Sequence, residues 1–312
     1  MCQPTPNQRP LKPSSVCGRT SVKTALPLEA ASVPVIAADG GGTRCRIAFA
    51  NAHIVEQVEV AACNLSSDFD GGIRELRRGL DLLSQVLGED LNQFPAVFAL
   101  AGVVSDDIAN RAARTFPFAR IRVCEDRVAA LRGALGGVDG AVIHAGTGAF
   151  VGVQAEGRAR FAGGWGSNLG DEGSGFWIGR EALRHHLRVL EKRADKGELS
   201  SAIQSEIGGA AEVIAYAGTR PVRDIADLAP RVVACAKTDP SAQEILMNAA
   251  RHLSDYMQGM EEADHGPICL TGGVAPHLAA YLPTHIQKRL TQPRGTPLAG
   301  AIALARDLAG QS

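Results

Sequence analysis

The sequence predicts an α/β fold built from two related units, and three observations support this class. Strand-sized apolar segments alternate with segments of helical periodicity from Val33 onward. A strand, a glycine-rich turn and a second strand occur twice, about 105 residues apart. The 312 residues, 45% hydrophobic and 21% charged, suit two domains of common size with a sizeable core.

The N-terminal residues 1–32 are predicted to be a disordered extension. They hold five of the sixteen prolines and no acidic residue before Glu29, and they lack a periodic apolar face. Their basic, acid-poor composition resembles a transit peptide, but the prolines oppose an amphipathic helix. We therefore interpret residues 1–32 as a disordered extension or as the product of an early start codon.

The first unit begins with a buried strand at 33–38, the turn Asp39-Gly-Gly-Gly-Thr43 and a second strand through Phe49. Further segments predict a helix over 73–87, a strand at 96–101, a helix at Ile108, Ala112 and Phe116, a strand at 121–123 and a helix over 128–135. The second unit repeats the opening pattern at 141–153. Helices are predicted over 174–193, 199–216, 224–237 and 240–262, then a strand at 268–270 and a helix over 297–308.

Charge and cysteine content exclude several classes of protein. Thirty-two Lys and Arg residues balance thirty-three Asp and Glu residues, without the basic surplus of a nucleic-acid binder. No apolar run reaches the length that spans a bilayer, so we expect neither a nucleic-acid nor a membrane partner. Seven cysteines without a Cys-x-x-Cys pair indicate reduced thiols in the cytoplasm, and adjacent His185 and His186 are poorly spaced for zinc.

Three glycine-rich turns are candidate nucleotide-binding sites. Gly41, Gly42 and Thr43 follow the first strand, and their backbone N–H groups and hydroxyl suit a phosphate. Gly146-Thr147-Gly148 repeats this device, while Gly272-Gly273 follows a strand and could pass close to adenine or ribose. The alternative for each is an ordinary tight turn.

Asp39 is predicted to hold Mg²⁺ through water, because this hard cation prefers carboxylate oxygen and retains hydration.

Asp126 is the candidate general base. It follows a strand about twenty residues before the second turn, and a carboxylate that orients a sugar hydroxyl and takes its proton suits phosphoryl transfer. Its neighbour Glu125 is the alternative.

The segment 163–174 holds an aromatic residue, glycines and two acids, a composition that suits a pyranose face and its hydroxyls. The other interpretation of that segment is an elaborate helix N-terminus.

These motifs together resemble the N-acetylglucosamine kinase and bacterial glucosamine kinase family, from about Val35 to Leu308. The matching elements are Asp39-Gly-Gly-Gly-Thr43, Gly146-Thr-Gly148, the Gly-Trp-Gly-Ser-Asn-Leu-Gly-Asp-Glu-Gly-Ser segment 164–174 and Leu-Thr-Gly-Gly-Val at 270–274. The resemblance implies two related domains of the actin-like ATPase (ribonuclease H-like) type with an interdomain active-site cleft. It implies an N-terminal domain over 33–135, joined by the closing helix 297–312, and a C-terminal domain over 136–296.

The resemblance also implies a role for individual residues. Thr43 and Thr147 would contact ATP phosphates, and Asp126 would bind the sugar 6-hydroxyl as base. The sugar site would include Asn64, Gly164, Trp165, Gly166 and Asp171. This chain departs from the family pattern after the second Gly-Thr-Gly, where Ala149 and Phe150 replace the usual polar residues.

The function that the resemblance implies is an ATP- and Mg²⁺-dependent kinase for the 6-hydroxyl of N-acetylglucosamine or glucosamine. Relatives are commonly dimers, so the resemblance implies a homodimer that acts on a small amino sugar. The location expected from the cysteines is the cytoplasm. The competing class is an ATPase activator of a CoA-ester dehydratase or reductase, which needs cysteines for an iron–sulfur cluster. No cysteine lies between Cys124 and Cys235, which argues against that class. A non-catalytic sugar-sensing ATPase-fold protein is the third alternative.

Overall fold

The computed structural model describes residues 24–25, 33–260 and 265–310. Within these ranges the chain forms two mixed β-sheets with helices packed on their faces, which confirms the predicted α/β class. Of the predicted N-terminal extension, residues 24–25 are described, as a short strand. The rest of that extension lies outside the described residues.

The first sheet ends in a row of parallel strands. Its described strands are β1 (Thr24–Ala25), β2 (Val35–Gly40), β3 (Arg44–Ala50), β4 (Ile54–Ala61), β5 (Ala96–Leu100) and β6 (Ile121–Glu125). Their spatial order is β1-β4-β3-β2-β5-β6. The strands β1, β4, β3 and β2 are antiparallel neighbours, whereas β2, β5 and β6 run parallel. The carboxyl ends of β2, β5 and β6 therefore meet at one edge of the sheet.

Helices α1 (Phe69–Leu87) and α2 (Asp106–Ala113) pack against one face of this sheet. The apolar positions that predict α1 face the core, where Leu76 and Leu83 are fully buried. Helix α2 is shorter than predicted and ends at Ala113, and just beyond it Thr115 donates its hydroxyl to Ala112 O at 2.7 Å. Phe116 consequently lies beyond the helix and packs edge-on against a core phenylalanine of β5.

The second sheet repeats the mixed pattern of the first. Its described strands are β7 (Gly140–Ala145), β8 (Ala149–Ala155), β9 (Arg158–Gly163), β10 (Ile268–Thr271) and β11 (Leu290–Thr291), in the order β11-β10-β7-β8-β9. The strands β7, β8 and β9 form an antiparallel meander, and β10 and β11 run parallel to β7. Each sheet therefore carries one of the two predicted glycine hairpins, β2–β3 and β7–β8.

Most of the remaining helices build the core behind the second sheet. They are α4 (Gly175–Leu190), α5 (Glu198–Glu206), α6 (Ala210–Thr219), α7 (Val222–Ala226), α8 (Ala229–Cys235), α9 (Pro240–Gln258), α10 (Ala275–Leu278) and α11 (Thr284–Gln287). The helix predicted over 224–237 is divided into α7 and α8. Pro230 lies in the first turn of α8, a position that accepts a residue without an N–H.

Helices α3 (Asp126–Leu135) and α12 (Pro297–Gly310) lie between the two sheets. Helix α12 packs on the first sheet, and α3 packs on α12 and, through Leu131 and Leu135, on the second sheet. A β-carbon on Gly300 would lie 2.0 Å from Ala129 O, and one on Gly133 would lie 2.1 Å from Thr296 O. The two helix backbones are therefore in direct contact, with room for hydrogen only.

Neither a membrane-spanning helix nor a metal-binding cluster of three or more side chains is found in the described ranges. None of their helices is long and apolar enough to cross a membrane. No group of three or more His, Cys, Asp or Glu side chains among them could hold a metal ion. His186 instead bonds Ser200 Oγ at 2.8 Å and Gly208 O at 3.1 Å, which is a structural role.

We expect Gly300→Ala to lower the free energy of unfolding by about 1–3 kcal/mol, because the added methyl group forces α3 and α12 apart. The measurement is urea denaturation. Gly218→Ala in α6 is the matched control, since a β-carbon there meets nothing within 4 Å and alanine favours a helix. Equal stability of the two variants would contradict the backbone contact between α3 and α12.

Candidate active site

The first hairpin places its exposed tip at the carboxyl edge of the first sheet. Gly41 N donates to Arg44 O at 2.9 Å, which closes the turn between β2 and β3. Gly42 and Thr43 at the tip are exposed, and a β-carbon on Gly42 would meet nothing within 4 Å. Gly40 is packed, because a β-carbon there would lie 2.6 Å from Leu100 Cδ2. The hairpin is therefore rigid at its base and open at its tip.

Asp39 lies beneath this hairpin and is paired with an arginine. Arg46 lies opposite it on β3, and its Nη2 donates to Asp39 Oδ2 at 2.5 Å. Burial raises the pKa of the Asp39 carboxyl above its ordinary value, and the Arg46 charge and hydrogen bond oppose that rise. One carboxylate oxygen is thus engaged by the protein itself.

Asp126 lies at the same sheet edge, as the first residue of α3 directly after β6. Burial and the nearby Asp39 charge raise the pKa of its carboxyl to about 6, against the opposing effects of the Arg127 charge and the Arg127 N–H, which donates to it. Because β5 separates β2 from β6, Asp39 near the end of β2 and Asp126 just after β6 lie on either side of one central strand. The predicted base and the predicted metal ligand therefore interact electrostatically.

Asn64 shapes a loop beside the first hairpin. Its Oδ1 accepts from Ser66 N at 3.1 Å and from Ser66 Oγ at 2.9 Å, which closes a side-chain turn before α1. The loop rests on the end of β5, where Leu65 N donates to Ala101 O at 2.9 Å. Gly102, with a φ of 79°, leaves room for the Asn64 amide, since a β-carbon there would lie 2.3 Å from Asn64 Oδ1.

The second hairpin stands at the N-terminus of α4. Gly146 N donates to Gly148 O at 2.9 Å, and Thr147 at the tip is exposed. Gly175 N, at the start of the sixteen-residue α4, donates to Gly146 O at 2.7 Å. The positive end of the helix dipole is therefore next to this turn, an arrangement that favours an anion.

The third glycine turn lies against the second hairpin. Val274 N donates to Ala145 O at 2.9 Å directly before the Gly146 turn. Gly272 has a φ of 85°, and a β-carbon on it would lie 2.3 Å from that same oxygen. Gly272 and Gly273 are exposed. Only glycine allows these two turns to approach so closely.

The Gly164-Trp165-Gly166 loop presents an aromatic ring to solvent. Its two glycines have φ values of 73° and 83°, and Trp165 is 69% exposed. The loop is backed by buried Asp171, whose Oδ1 accepts from Ala149 N at 3.4 Å. Burial raises the pKa of the Asp171 carboxyl, and hydrogen bonds from the Ala149 and Gly166 N–H groups oppose that rise. Asp171 thus connects this loop to the second hairpin.

Three further residues contact these elements and were missed in the sequence. Arg127 donates to Gly163 O at 3.0 Å, at the start of the Trp165 loop. Tyr256 of α9 donates its hydroxyl to Glu172. His144 Nδ1 lies 3.0 Å from Thr271 Oγ1, and burial lowers the pKa of the imidazole to about 4, which keeps it neutral. Arg127 could have been noticed as the neighbour of Asp126, whereas nothing in the sequence links Tyr256 to Glu172.

The predicted residues therefore form two groups. The first sheet carries Asp39, the Gly41–Thr43 hairpin, Asn64 and Asp126. The second sheet carries the Gly146–Gly148 hairpin, Gly272-Gly273, Asp171 and the Trp165 loop. Arg127 joins the groups, because it belongs to α3 and bonds the carbonyl of the last residue of β9.

Comparisons with known proteins show that the chain is similar to sugar kinases. The chain is 24% identical to glucosamine kinase GspK of Vibrio cholerae, over 86% of the chain and 94% of that protein. It is 30% identical to the N-acetylmuramic acid/N-acetylglucosamine kinase of Clostridium acetobutylicum, over 70% and 76%. A crystal structure from Chromobacterium violaceum, named as a proposed N-acetylglucosamine kinase, superposes with a TM-score of 0.79 at 29% identity, over 88% and 99%.

The sequence profile of one family matches most of the chain. The match runs over residues 38–303, from within β2 of the first hairpin to within α12. It includes both hairpins, Asp126 and the Trp165 loop. The chain belongs to the BadF/BadG/BcrA/BcrD ATPase family.

Proposed function

We propose that this protein is an ATP-dependent kinase that transfers the γ-phosphoryl group to the 6-hydroxyl of an amino sugar, N-acetylglucosamine or glucosamine. The observation that carries the proposal is the position of Asp126. This half-buried carboxyl, with a pKa raised to about 6, lies at the sheet edge beside the first hairpin, and the next residue bonds the Trp165 loop. The names of the relatives, glucosamine kinase and N-acetylglucosamine kinase, support the substrate class.

The nucleotide would be held by the three glycine turns. The exposed tips with Thr43 and Thr147 offer hydroxyl and backbone donors to phosphate oxygens, and the α4 N-terminus adds a favourable dipole. Gly272-Gly273 lies next to the second hairpin and would contact the adenosine part. A nucleotide held at both hairpins would span the two sheets.

The acids at the first sheet suit a magnesium ion bound through water. The Asp39 charge raises the pKa of the Asp126 carboxyl, and a dication between the two acids would offset this repulsion. Asp39 Oδ2 accepts from Arg46, so Asp39 would act through water with its remaining oxygen rather than as an inner-sphere ligand. When bound, magnesium neutralises charge on the transferred phosphoryl group.

Asp126 would act as the general base. Its carboxylate accepts the hydrogen bond of the sugar 6-hydroxyl, orients the oxygen toward the phosphorus and takes the proton as the bond forms. A pKa near 6 leaves the group ionised at neutral pH while making it a better proton acceptor than an ordinary aspartate.

The sugar would lie between the Asn64 loop and the Trp165 loop. The exposed indole suits the C–H face of a pyranose, and buried Asp171 lies behind it as an acceptor for hydroxyls. Asn64 Oδ1 is used within its own loop, so this residue would meet the sugar through its amide N–H₂. Closure of the two sheets over the sugar would exclude water and favour transfer over ATP hydrolysis.

Two further expectations belong to the proposal. The five described cysteines are buried, which suits reduced thiols in the cytoplasm and gives no exposed thiolates for the iron–sulfur cluster of an activator ATPase. We also propose a homodimer, as in related kinases.

The direct test of the function is a coupled ADP-release assay on glucosamine, N-acetylglucosamine, N-acetylmannosamine and glucose. We expect turnover with the first or second sugar, and loss of turnover with its 6-deoxy analogue. Phosphorus NMR of the product should place the phosphate on the 6-oxygen. Turnover of the 6-deoxy analogue would reject the 6-hydroxyl as acceptor.

We expect Asp126→Asn to reduce kcat by about 10²–10⁴-fold, because the amide cannot take the proton. The KM values for sugar and ATP should stay within a few fold. Asp106→Asn is the matched control, since Asp106 also begins a helix but is exposed on α2. Near-normal turnover of Asp126→Asn would reject this base.

In the wild type, kcat/KM should fall as the pH drops through about 6, where Asp126 becomes protonated.

We expect Trp165→Ala to raise the Kd for the sugar about tenfold, because the pyranose loses its apolar platform. Isothermal titration of sugar and of ATP measures the effect, and ATP affinity should not change. Ile214→Ala in α6 is the control, since Ile214 is also an exposed large apolar residue, at 66%. An unchanged sugar Kd in Trp165→Ala would remove this residue from the sugar site.

A further inference from the structure

We propose that Arg127 is a positioning residue that holds the Trp165 loop in register with the Asp126 carboxylate. The inference rests on the proposed function and goes beyond it, because it explains how a base on the first sheet is aligned with a sugar loop on the second. Arg127 itself would touch neither the sugar nor the nucleotide.

The guanidinium group of Arg127 bonds both sheets at once. Its Nε and Nη2 donate to Glu125 Oε2 at 2.9 and 2.6 Å, and its Nη1 donates to Gly163 O at 3.0 Å. Glu125 is the last residue of β6 and Gly163 is the last residue of β9. The rigid planar fork of arginine therefore fixes the distance between the ends of two strands from different sheets.

The backbone of the same residue contacts the base. Arg127 directly follows Asp126 in the first turn of α3, and its N–H opposes the rise in the pKa of the Asp126 carboxyl. The side chain also lies under the loop, because a β-carbon on Gly164 would be 3.1 Å from Arg127 Nη1. Gly163 and Gly164 have φ values of 74° and 73°, so the chain can turn over the guanidinium without a side chain in the way. One residue thus touches the base through its backbone and the loop through its side chain.

An aromatic stack supports this contact from the second sheet. The Arg127 guanidinium lies 4.9 Å from the centroid of the Phe161 ring. Phe161 packs edge-on against Phe150 at 6.1 Å, and Phe150 stacks on His144 at 4.9 Å with 16° between the ring planes. The Arg127 side chain is 18% exposed, so its charged hydrogen bonds are well shielded from water. The stack extends from beside the Gly146 hairpin to the start of the Trp165 loop.

A second arginine of the same helix provides the comparison. Arg132 also pairs with a carboxylate, and its Nη2 lies 3.0 Å from Asp307 Oδ2. That pair connects α3 to α12 and contacts neither Gly163 nor Asp126. Arg132→Met therefore removes an ion pair from α3 without removing the contact between the base and the loop.

The test compares Arg127→Met, Arg127→Lys and Arg132→Met in the full chain. We expect Arg127→Met to lower kcat/KM for the sugar by about ten- to hundredfold, through both a higher sugar KM and a lower kcat. The KM for ATP should stay within about twofold. Arg127→Lys should lie between the wild type and Arg127→Met, because lysine keeps the charge but cannot form the fork. Arg132→Met should behave as the wild type.

A second measurement needs no substrate. The chain has two tryptophans, of which Trp177 is buried and Trp165 is exposed, so acrylamide quenching reports on the Trp165 loop. We expect faster quenching in Arg127→Met than in Arg132→Met, since the released loop moves more freely. If Arg127→Met does not fold, the sugar kinetics and the acrylamide quenching of Arg127→Lys are compared with those of Arg132→Met instead.

The outcomes separate this inference from the proposed function. Equal sugar kinetics and equal quenching in Arg127→Met and Arg132→Met would overturn the positioning role. A wild-type protein that phosphorylates none of the amino sugars would reject the proposed function, while the quenching comparison would still test whether Arg127 holds the loop.

Discussion

The direct backbone contact between α3 and α12 is the constraint on which the rest of the structure depends. Gly133 and Gly300 leave room for hydrogen only, so the two helices act as one layer between the sheets. Helix α12 is fixed to the first sheet, and α3 faces the second. Because Asp126 and Arg127 form the first turn of α3, the same crossing determines where the acid lies relative to both hairpins.

The electrostatics of the site follow from two acids that interact across one strand. Asp39 and Asp126 each lie next to an arginine, Arg46 on β3 and Arg127 on α3. These cations lower the pKa values that burial raises, and the balance leaves Asp126 with a pKa of about 6. A carboxyl with that pKa is ionised at neutral pH and is still a competent proton acceptor, which suits the general-base role that we propose for it.

The sequence predicted the fold class and both hairpins because glycine runs between apolar strands are local signals. The strand bounds differ by about two residues, since Asp39 and Gly40 belong to β2 rather than to the predicted turn. It did not predict β4 and β9, whose mixed polar and apolar residues reflect partial exposure. It predicted one helix over 224–237 where the structure has α7 and α8, although Pro230 in the first turn of α8 is typical of a helix start. Contacts between distant residues, such as Tyr256 with Glu172 and Arg127 with Gly163, depend on tertiary packing and leave no pattern in the chain.

The central claim is that one carboxylate, held at the junction of two sheets, receives the proton of a sugar hydroxyl while the paired hairpins hold the nucleotide. The most direct measurement is a crystal structure of the complex with magnesium, a non-hydrolysable ATP analogue and N-acetylglucosamine. The account predicts the Asp126 carboxylate within hydrogen-bond distance of the sugar 6-oxygen, which faces the γ-phosphorus. Triphosphate at only one hairpin, with Asp126 facing solvent and away from the sugar, would contradict it.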